Sequence, residues 1–247
     1  MSIPKIIHYC WFGGKQQPAY VIKNIKEWQK IIPNYKFIEW NENNFPMDSI
    51  PIYAKEAMRE GKMAFLTDYV RLYVLYQYGG IYLDVDVEII RPFTDKMLQH
   101  DFIGLEDKMA VCSAVIGAEP KSRWIGDLLN LYEKRRFIIN GTMDLTPNSE
   151  YIFNFLMEQY GLKYIESNDI DILKNGLIIY GNIYFSPMDF VTGKIKITHE
   201  TYTVHHFKST WKSPKSRLIG RASLFLHRVV GDKIHRKIKY LFMQFSR

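Results

Sequence analysis

From Lys5 to Phe12 the chain is nearly all apolar and stops at Gly13-Gly14, the pattern of a buried strand that runs into a loop. Pro18 suits a helix start, and Val21, Ile25, Trp28 and Ile32 recur at helical spacing until Pro33-Asn34 interrupts them. Tyr35 to Trp40 then reads as a second strand. Strand, helix, strand in this order predicts a parallel pair joined by a crossover helix. A helix is expected near Ile52–Arg59, and the strongest one over Met63–Tyr78, closed by Gly79-Gly80. Beyond it the pattern gives short strands at Phe102–Leu105 and Val111–Gly117 and helices at Arg123–Lys134 and Ser149–Tyr160. Short β runs follow at Leu177–Tyr180, Ile183–Phe185, Ile195–Thr198 and Tyr202–His206. The fold class is α/β.

Composition narrows the picture. A hydrophobic share of 47% with 15% aromatic residues is ample for a core. The apolar runs fall short of the roughly 18–20 residues that a membrane-spanning helix needs. The first residues enter a strand without a signal-peptide pattern, and Cys10 and Cys112 make neither a disulfide framework nor a zinc site, so a cytoplasmic location is expected. The net charge of +7 is uneven: residues 215–247 hold nine Lys or Arg against Asp232 alone, leaving 24 basic and 25 acidic residues in 1–214. Lys212 to Ser216 reads as a linker, which places the α/β body at 1–214 and a basic helical tail at 215–247. In the tail Arg217, Arg221 and Arg228 share one helical face beside Leu218, Ala222, Phe225 and Val229. Ile234, Ile238, Leu241, Phe242 and Phe245 form a second stripe. Such helices suit the anionic inner face of a cell membrane, or pack on the body with their charges solvated.

The chemistry concentrates in Gly79-Gly80-Ile81-Tyr82-Leu83-Asp84-Val85-Asp86-Val87-Glu88. On an extended strand Asp84, Asp86 and Glu88 would share one face, with Leu83, Val85 and Val87 on the other. Adjacent carboxylates repel unless a cation lies between them, and hard oxygen ligands suit Mn²⁺ or Mg²⁺. In the preceding helix Asp68 and Arg71 stand three apart among Phe65, Leu66, Val70, Leu72, Val74 and Leu75, as a structural ion pair or as part of the same cleft. Near the far end, His205-His206-Phe207-Lys208-Ser209-Thr210-Trp211 offers an imidazole for a cation already held by carboxylates. Its hydroxyls at Ser209 or Thr210 could add an oxygen, and the Trp211 indole N–H could donate to an anion.

These blocks resemble glycosyltransferase family 32. The resemblance is carried by Ile3 to Gly14, by Thr67-Asp68-Tyr69-Val70-Arg71 through Gly80, by Ile81-Tyr82-Leu83-Asp84-Val85-Asp86, and by the late His-His and Ser-Thr-Trp, in order over residues 3–211. That family includes yeast-type initiating mannosyltransferases and bacterial capsule and O-antigen transferases, and the clostridial glucosylating toxins carry a related catalytic domain. The resemblance implies a GT-A fold, with a mixed, mostly parallel sheet flanked by helices, that binds a nucleotide-sugar and Mn²⁺ or Mg²⁺. Carried over, Trp11 lines the base pocket, and Asp68 and Arg71 hold sugar hydroxyls with Tyr82 nearby. Asp84 contacts ribose or sugar and reaches the metal through water, Asp86 ligates it directly, and His206 is the third ligand. Ser209 and Trp211 touch the metal or the β-phosphate. Many members have Gly-Ser-Trp where this chain has Ser209-Thr210-Trp211, so the acting hydroxyl is that of Ser209 or of Thr210.

The implied activity is retaining transfer of a hexose from a nucleotide-diphosphate sugar to a saccharide or lipid-linked acceptor, in surface polysaccharide (capsule or O-antigen) synthesis. No residue stands out as a covalent nucleophile, which favours front-face attack by the acceptor. A glycoside hydrolase would place its carboxylates on either side of the sugar, roughly 5–10 Å apart, rather than as strand neighbours. A metal-dependent phosphotransferase could use the same acids, but no Walker-type loop is present; a metal-dependent glycoside or phosphate-ester hydrolase stands as the alternative enzyme. A non-enzymatic adaptor for membrane or nucleic acid would rest on the tail alone, which leaves the mid-chain acids unexplained; a nucleic-acid partner is not expected.

Overall fold

The computed structural model describes residues 2–188 and 194–207. The chain forms two units, the first made of Met1–Pro187 and Ile197–His206. Of the second, residues 188, 194–196 and 207 are described, and Met188 and Ile195 there form an isolated antiparallel bridge. The boundary expected at 214/215 and the basic tail lie outside the described residues.

In the first unit β1 (Ile6–Cys10), α1 (Ala19–Ile31) and β2 (Lys36–Trp40) form the expected strand–helix–strand, with the strands parallel and Ile6 opposite Lys36. α2 (Ile52–Arg59) and α3 (Met63–Tyr78) follow, and α3 leads into β3 (Gly80–Leu83), which lies parallel to β1. β4 (Val87–Ile89) leaves that sheet. β5 (Phe102–Asp107) and β6 (Ala110–Ala118) make a hairpin, followed by α4 (Arg123–Lys134), the small hairpin β7 (Ile138–Ile139) and β8 (Thr142–Met143), and α5 (Asn148–Tyr160). β9 (Ile170–Ile172), β10 (Ile178–Tyr180), the single turn α6 (Asn182–Phe185) and β11 (Thr203–His205) complete it. The central sheet has the order β2-β1-β3-β6-β5-β10-β9. Only β6 and β9 run against the rest, so the sheet is mixed and mostly parallel.

Alternation along each strand sorts its side chains into two cores. Ile7, Tyr9, Ile81 and Leu83 pack with α1 residues Val21, Ile25 and Trp28 on one face. Cys10, Tyr82, Ile103 and Ile116 pack on the other with Leu66, Val70 and Leu72 of α3 and Trp124 and Leu128 of α4. The passage from α3 to β3 is abrupt, and two glycines make it possible. Gly79 (φ 62°) and Gly80 (φ 108°) are both left-handed; a Cβ on Gly79 would lie 2.6 Å from Pro120, and one on Gly80 2.7 Å from Ile6 O.

Two expected strands take another form. Ile183–Phe185 belongs to α6, because Ser186 N–H bonds Asn182 O and the turn buries Tyr184 and Phe185. A three-residue apolar run does not by itself distinguish strand from helix. Of Ile195–Thr198, only Ile195 pairs, in the bridge above. The chain also forms strands at 138–139, 142–143 and 170–172 that its pattern did not announce, while Val87 and Glu88, expected to continue the strand of Leu83, belong instead to the separate strand β4. No helix among the described residues is long and apolar enough to cross a membrane.

His8 ties this framework together. Its Nδ1 accepts the Trp40 indole N–H at 3.0 Å, so Nε2 carries the proton and donates to Gly79 O at 2.8 Å. Burial, opposed by the Gly79 bond, lowers its pKa to about 4. The unfolded chain therefore binds the extra proton first. Stability attributable to His8 is complete above pH ~6.5 and is lost as pH falls toward 4, by about 3 kcal/mol. Urea unfolding at pH 7.0, 5.5 and 4.5 should show this loss, and His8→Gln, although less stable at pH 7, should show a flatter acid limb.

Candidate active site

The carboxyl ends of β1, β2 and β3 form one edge of the sheet, the edge at which α/β proteins place their ligands. Trp11 follows β1 there, half-buried, with its indole N–H donating to Lys15 O at 2.5 Å. The acids follow β3, but not on a continuous strand. The strand stops at Leu83, and Val87 N–H closes back on Asp84 O at 2.9 Å, so residues 84–87 are a tight turn. This corrects the single-face reading: Asp84 and Asp86 are partly buried in the turn, while Glu88 is exposed on β4.

α3 supplies the next layer. Its apolar positions seat it against the sheet, which buries Asp68 and Arg71 almost completely. The Arg71 guanidinium donates to Asp68 Oδ1 at 3.0 Å, to Asp84 Oδ2 at 3.4 Å and to Ser113 O at 2.6 Å, and lies 4.7 Å from the Tyr82 ring centroid. The Tyr82 hydroxyl donates to Asp84 Oδ1 at 2.8 Å. Burial opposes the Arg71 charge, but Asp84, Tyr82 and Asp68 outweigh it and hold the guanidinium firmly protonated. Burial raises Asp68 to about 6 against the pull of Arg71. The pair is therefore no incidental i,i+3 contact; it is wired to the turn.

β11 brings in the imidazole. His205 Nε2 lies 3.5 Å from Asp86 Oδ1, and its Nδ1 3.2 Å from Glu106 Oε1. Burial alone would lower its pKa, but the bonds to Asp86 and Glu106 override it and raise it to about 10. Burial also pushes Glu106 upward. Asp84, Asp86 and His205 each offer one ligand atom, all within 4.8 Å of one another. Two carboxylate oxygens and one imidazole nitrogen, with an outer carboxylate on the second ring nitrogen, fit a divalent cation of the Mn²⁺ or Mg²⁺ kind. The protonated imidazole supplies positive charge between Asp86 and Glu106.

The sequence reading gave the third-ligand place to His206. In the structure His206 Nε2 meets Glu88 Oε2 at 2.7 Å, while His205 turns toward the acids. The reason is strand alternation: β11 pairs antiparallel with β4, with His205 opposite Val87, so consecutive side chains face opposite ways. Asp68, Arg71, Tyr82, Asp84 and Asp86 converge as one cluster, with Trp11 on the same sheet edge. Ser209, Thr210 and Trp211 lie outside the described residues. Sequence reasoning did not find Glu106 or the Ser113 carbonyl; neither sits in a local pattern, and only the β5–β6 hairpin brings them here.

Residues 18–103 match the family model described as "Glycosyltransferase sugar-binding region containing DXD motif". The chain is 23% identical to inositol phosphoceramide mannosyltransferase 2 of Schizosaccharomyces pombe, an alignment that covers 97% of this chain and 68% of the relative. It is 32% identical to inositol phosphoceramide mannosyltransferase 3 of the same organism over 35% of this chain and 25% of that one. Among solved structures it resembles the PaToxG glycosyltransferase, with a TM-score of 0.53, 20% identity, and coverage of 64% of this chain and 70% of the other. That likeness is one of fold, the GT-A-like α/β architecture.

The two histidines give a direct test. His205→Gln should weaken Mn²⁺ binding by about tenfold or more, whereas His206→Gln should leave it near wild type. Mn²⁺ titration followed by electron paramagnetic resonance checks this, and the reverse order would return the third-ligand role to His206.

Proposed function

We propose, from the premise that the chain is a glycosyltransferase with a DXD-containing sugar-binding region at residues 18–103, that it transfers a hexose with retention from a nucleotide-diphosphate sugar to a saccharide or lipid-borne acceptor. The observation that carries this is the convergence of Asp84, Asp86 and His205 within 4.8 Å beside the buried Asp68–Arg71 pair. A donor's diphosphate would lie against the turn and its sugar against α3.

Each residue has a definable task. Asp84, Asp86 and His205 would hold the divalent cation, which when bound supplies positive charge for the departing diphosphate. Tyr82 and Arg71 lock Asp84 in one orientation before the donor arrives. Asp68, ionised at neutral pH and fixed by Arg71, accepts from sugar hydroxyls and aligns the anomeric carbon with the acceptor. Trp11 offers a ring face for the base. Glu106 holds the His205 ring through Nδ1.

The names of the fungal relatives support a lipid-borne acceptor: those proteins are mannosyltransferases that act on inositol phosphoceramide. In this reading the basic segment 215–247 attracts an anionic inner-membrane surface and brings the site to its acceptor. Surface polysaccharide or glycolipid assembly is the corresponding role.

A donor-hydrolysis screen with Mn²⁺ over UDP-Glc, UDP-Gal, UDP-GlcNAc, UDP-GalNAc and GDP-Man tests the proposal. One donor should be turned over, and Asp86→Asn should reduce that turnover about 10²–10³-fold, the size of losing one preorganised electrostatic group. Absence of turnover, together with no rise in Tm from Mn²⁺ plus UDP or GDP, would overturn it. For the productive donor, turnover should also fall as pH drops through about 6, where Asp68 takes up a proton.

A further inference from the structure

Every backbone carbonyl of the turn that carries the two aspartates has a donor. Asp84 O accepts from Val87 N–H at 2.9 Å, and Asp86 O from His206 N–H at 3.2 Å. The other two face α1. Asn24 Nδ2 reaches Val85 O at 3.0 Å and Val87 O at 2.6 Å, using both protons of one carboxamide, and the Trp28 indole N–H reaches Val87 O at 2.8 Å. Asn24 and Trp28 stand four apart on one face of α1, and Trp28 is fully buried. Val87 O thus takes two side-chain donors on the side where a neighbouring strand would otherwise lie.

We infer that Asn24, backed by Trp28, is a positioning residue for Asp84 and Asp86. One amide group bridges the carbonyls on either side of Asp86, so the peptide that bears this carboxylate cannot rotate without breaking two hydrogen bonds. That restraint matters because two adjacent carboxylates push each other apart. The clamp keeps both aimed toward His205 before any cation or donor enters. Asn24 bonds the backbone carbonyls of Val85 and Val87 and acts on the carboxylates through them. The inference rests on the reading of Asp84, Asp86 and His205 as the cation and donor site.

The test uses the full chain in four forms: wild type, Asn24→Leu, Trp28→Phe and, as a stability control, Val21→Ala in the buried face of α1. Two readouts apply: hydrogen exchange at the Val87 amide without metal, and Mn²⁺ affinity. Asn24→Leu should speed Val87 exchange and weaken Mn²⁺ binding about tenfold, the lower end for losing an outer partner of a metal site. Trp28→Phe should give a smaller change of the same kind. Val21→Ala should lower Tm and leave Mn²⁺ affinity unchanged. If Asn24→Leu does not fold, Asn24→Ser, too short to span both carbonyls, is read the same way. Wild-type exchange at Val87 with wild-type Mn²⁺ affinity in the Asn24 variant overturns the inference, as does an equal affinity loss in Val21→Ala. If the wild-type chain binds no Mn²⁺, the functional reading fails, and exchange at Val87 alone still decides the clamp.

Discussion

The buried Arg71 cation is the interaction on which the candidate site depends. A guanidinium taken out of water must be paired and hydrogen-bonded, and removing a partner from such a pair costs about 3–5 kcal/mol. Arg71 meets that demand from three directions: its own helix through Asp68, the turn through Asp84, and β6 through Ser113 O. It therefore fixes the distance between the sugar-side acid and the metal-side acid. α3 cannot slide along the sheet without pulling the buried Arg71 charge away from its partners Asp84 and Ser113 O. Gly79 and Gly80 complete the constraint by coupling the end of α3 to the start of β3 with no slack.

The second constraint is like-charge crowding. Asp84, Asp86 and Glu106 lie close together, and burial raises the energy of each ionised acid that it affects. The fold answers with cations and donors of its own: Arg71 and the Tyr82 hydroxyl on Asp84, His205 on Asp86 and Glu106. The imidazole is thereby drawn to the proton-bearing state, and a divalent cation would take over the charge that this proton supplies. The site is preorganised in the sense that its repulsions are already balanced without substrate.

Much of the architecture was legible along the chain because it is local. Helical spacing marked α1, α2, α3 and α4, and the glycines marked the end of α3. The Asp-Val-Asp spacing, with Gly79-Gly80 before it, pointed to an acid pair at the end of a buried strand. Less legible were short apolar runs, such as Ile183–Phe185, where three residues do not reveal a period. The turn at 84–87 was also hidden, since its sequence alternates as a strand would.

What the sequence alone determined is the chemistry available and the order in which it arrives: two aspartates one residue apart, an Asp-Arg pair on the helix before them, and an imidazole pair far downstream. What only the tertiary structure decided is which groups meet. His205 rather than His206 faces the acids because the register of β11 on β4 assigns alternate side chains to opposite sides, and a one-residue shift would exchange them. Glu106, Ser113 and Asn24 join through a hairpin and a helix that lie far from the turn in the chain. Long-range pairing carries no local signature, so the composition of the site could be read from the residues, and its geometry could not.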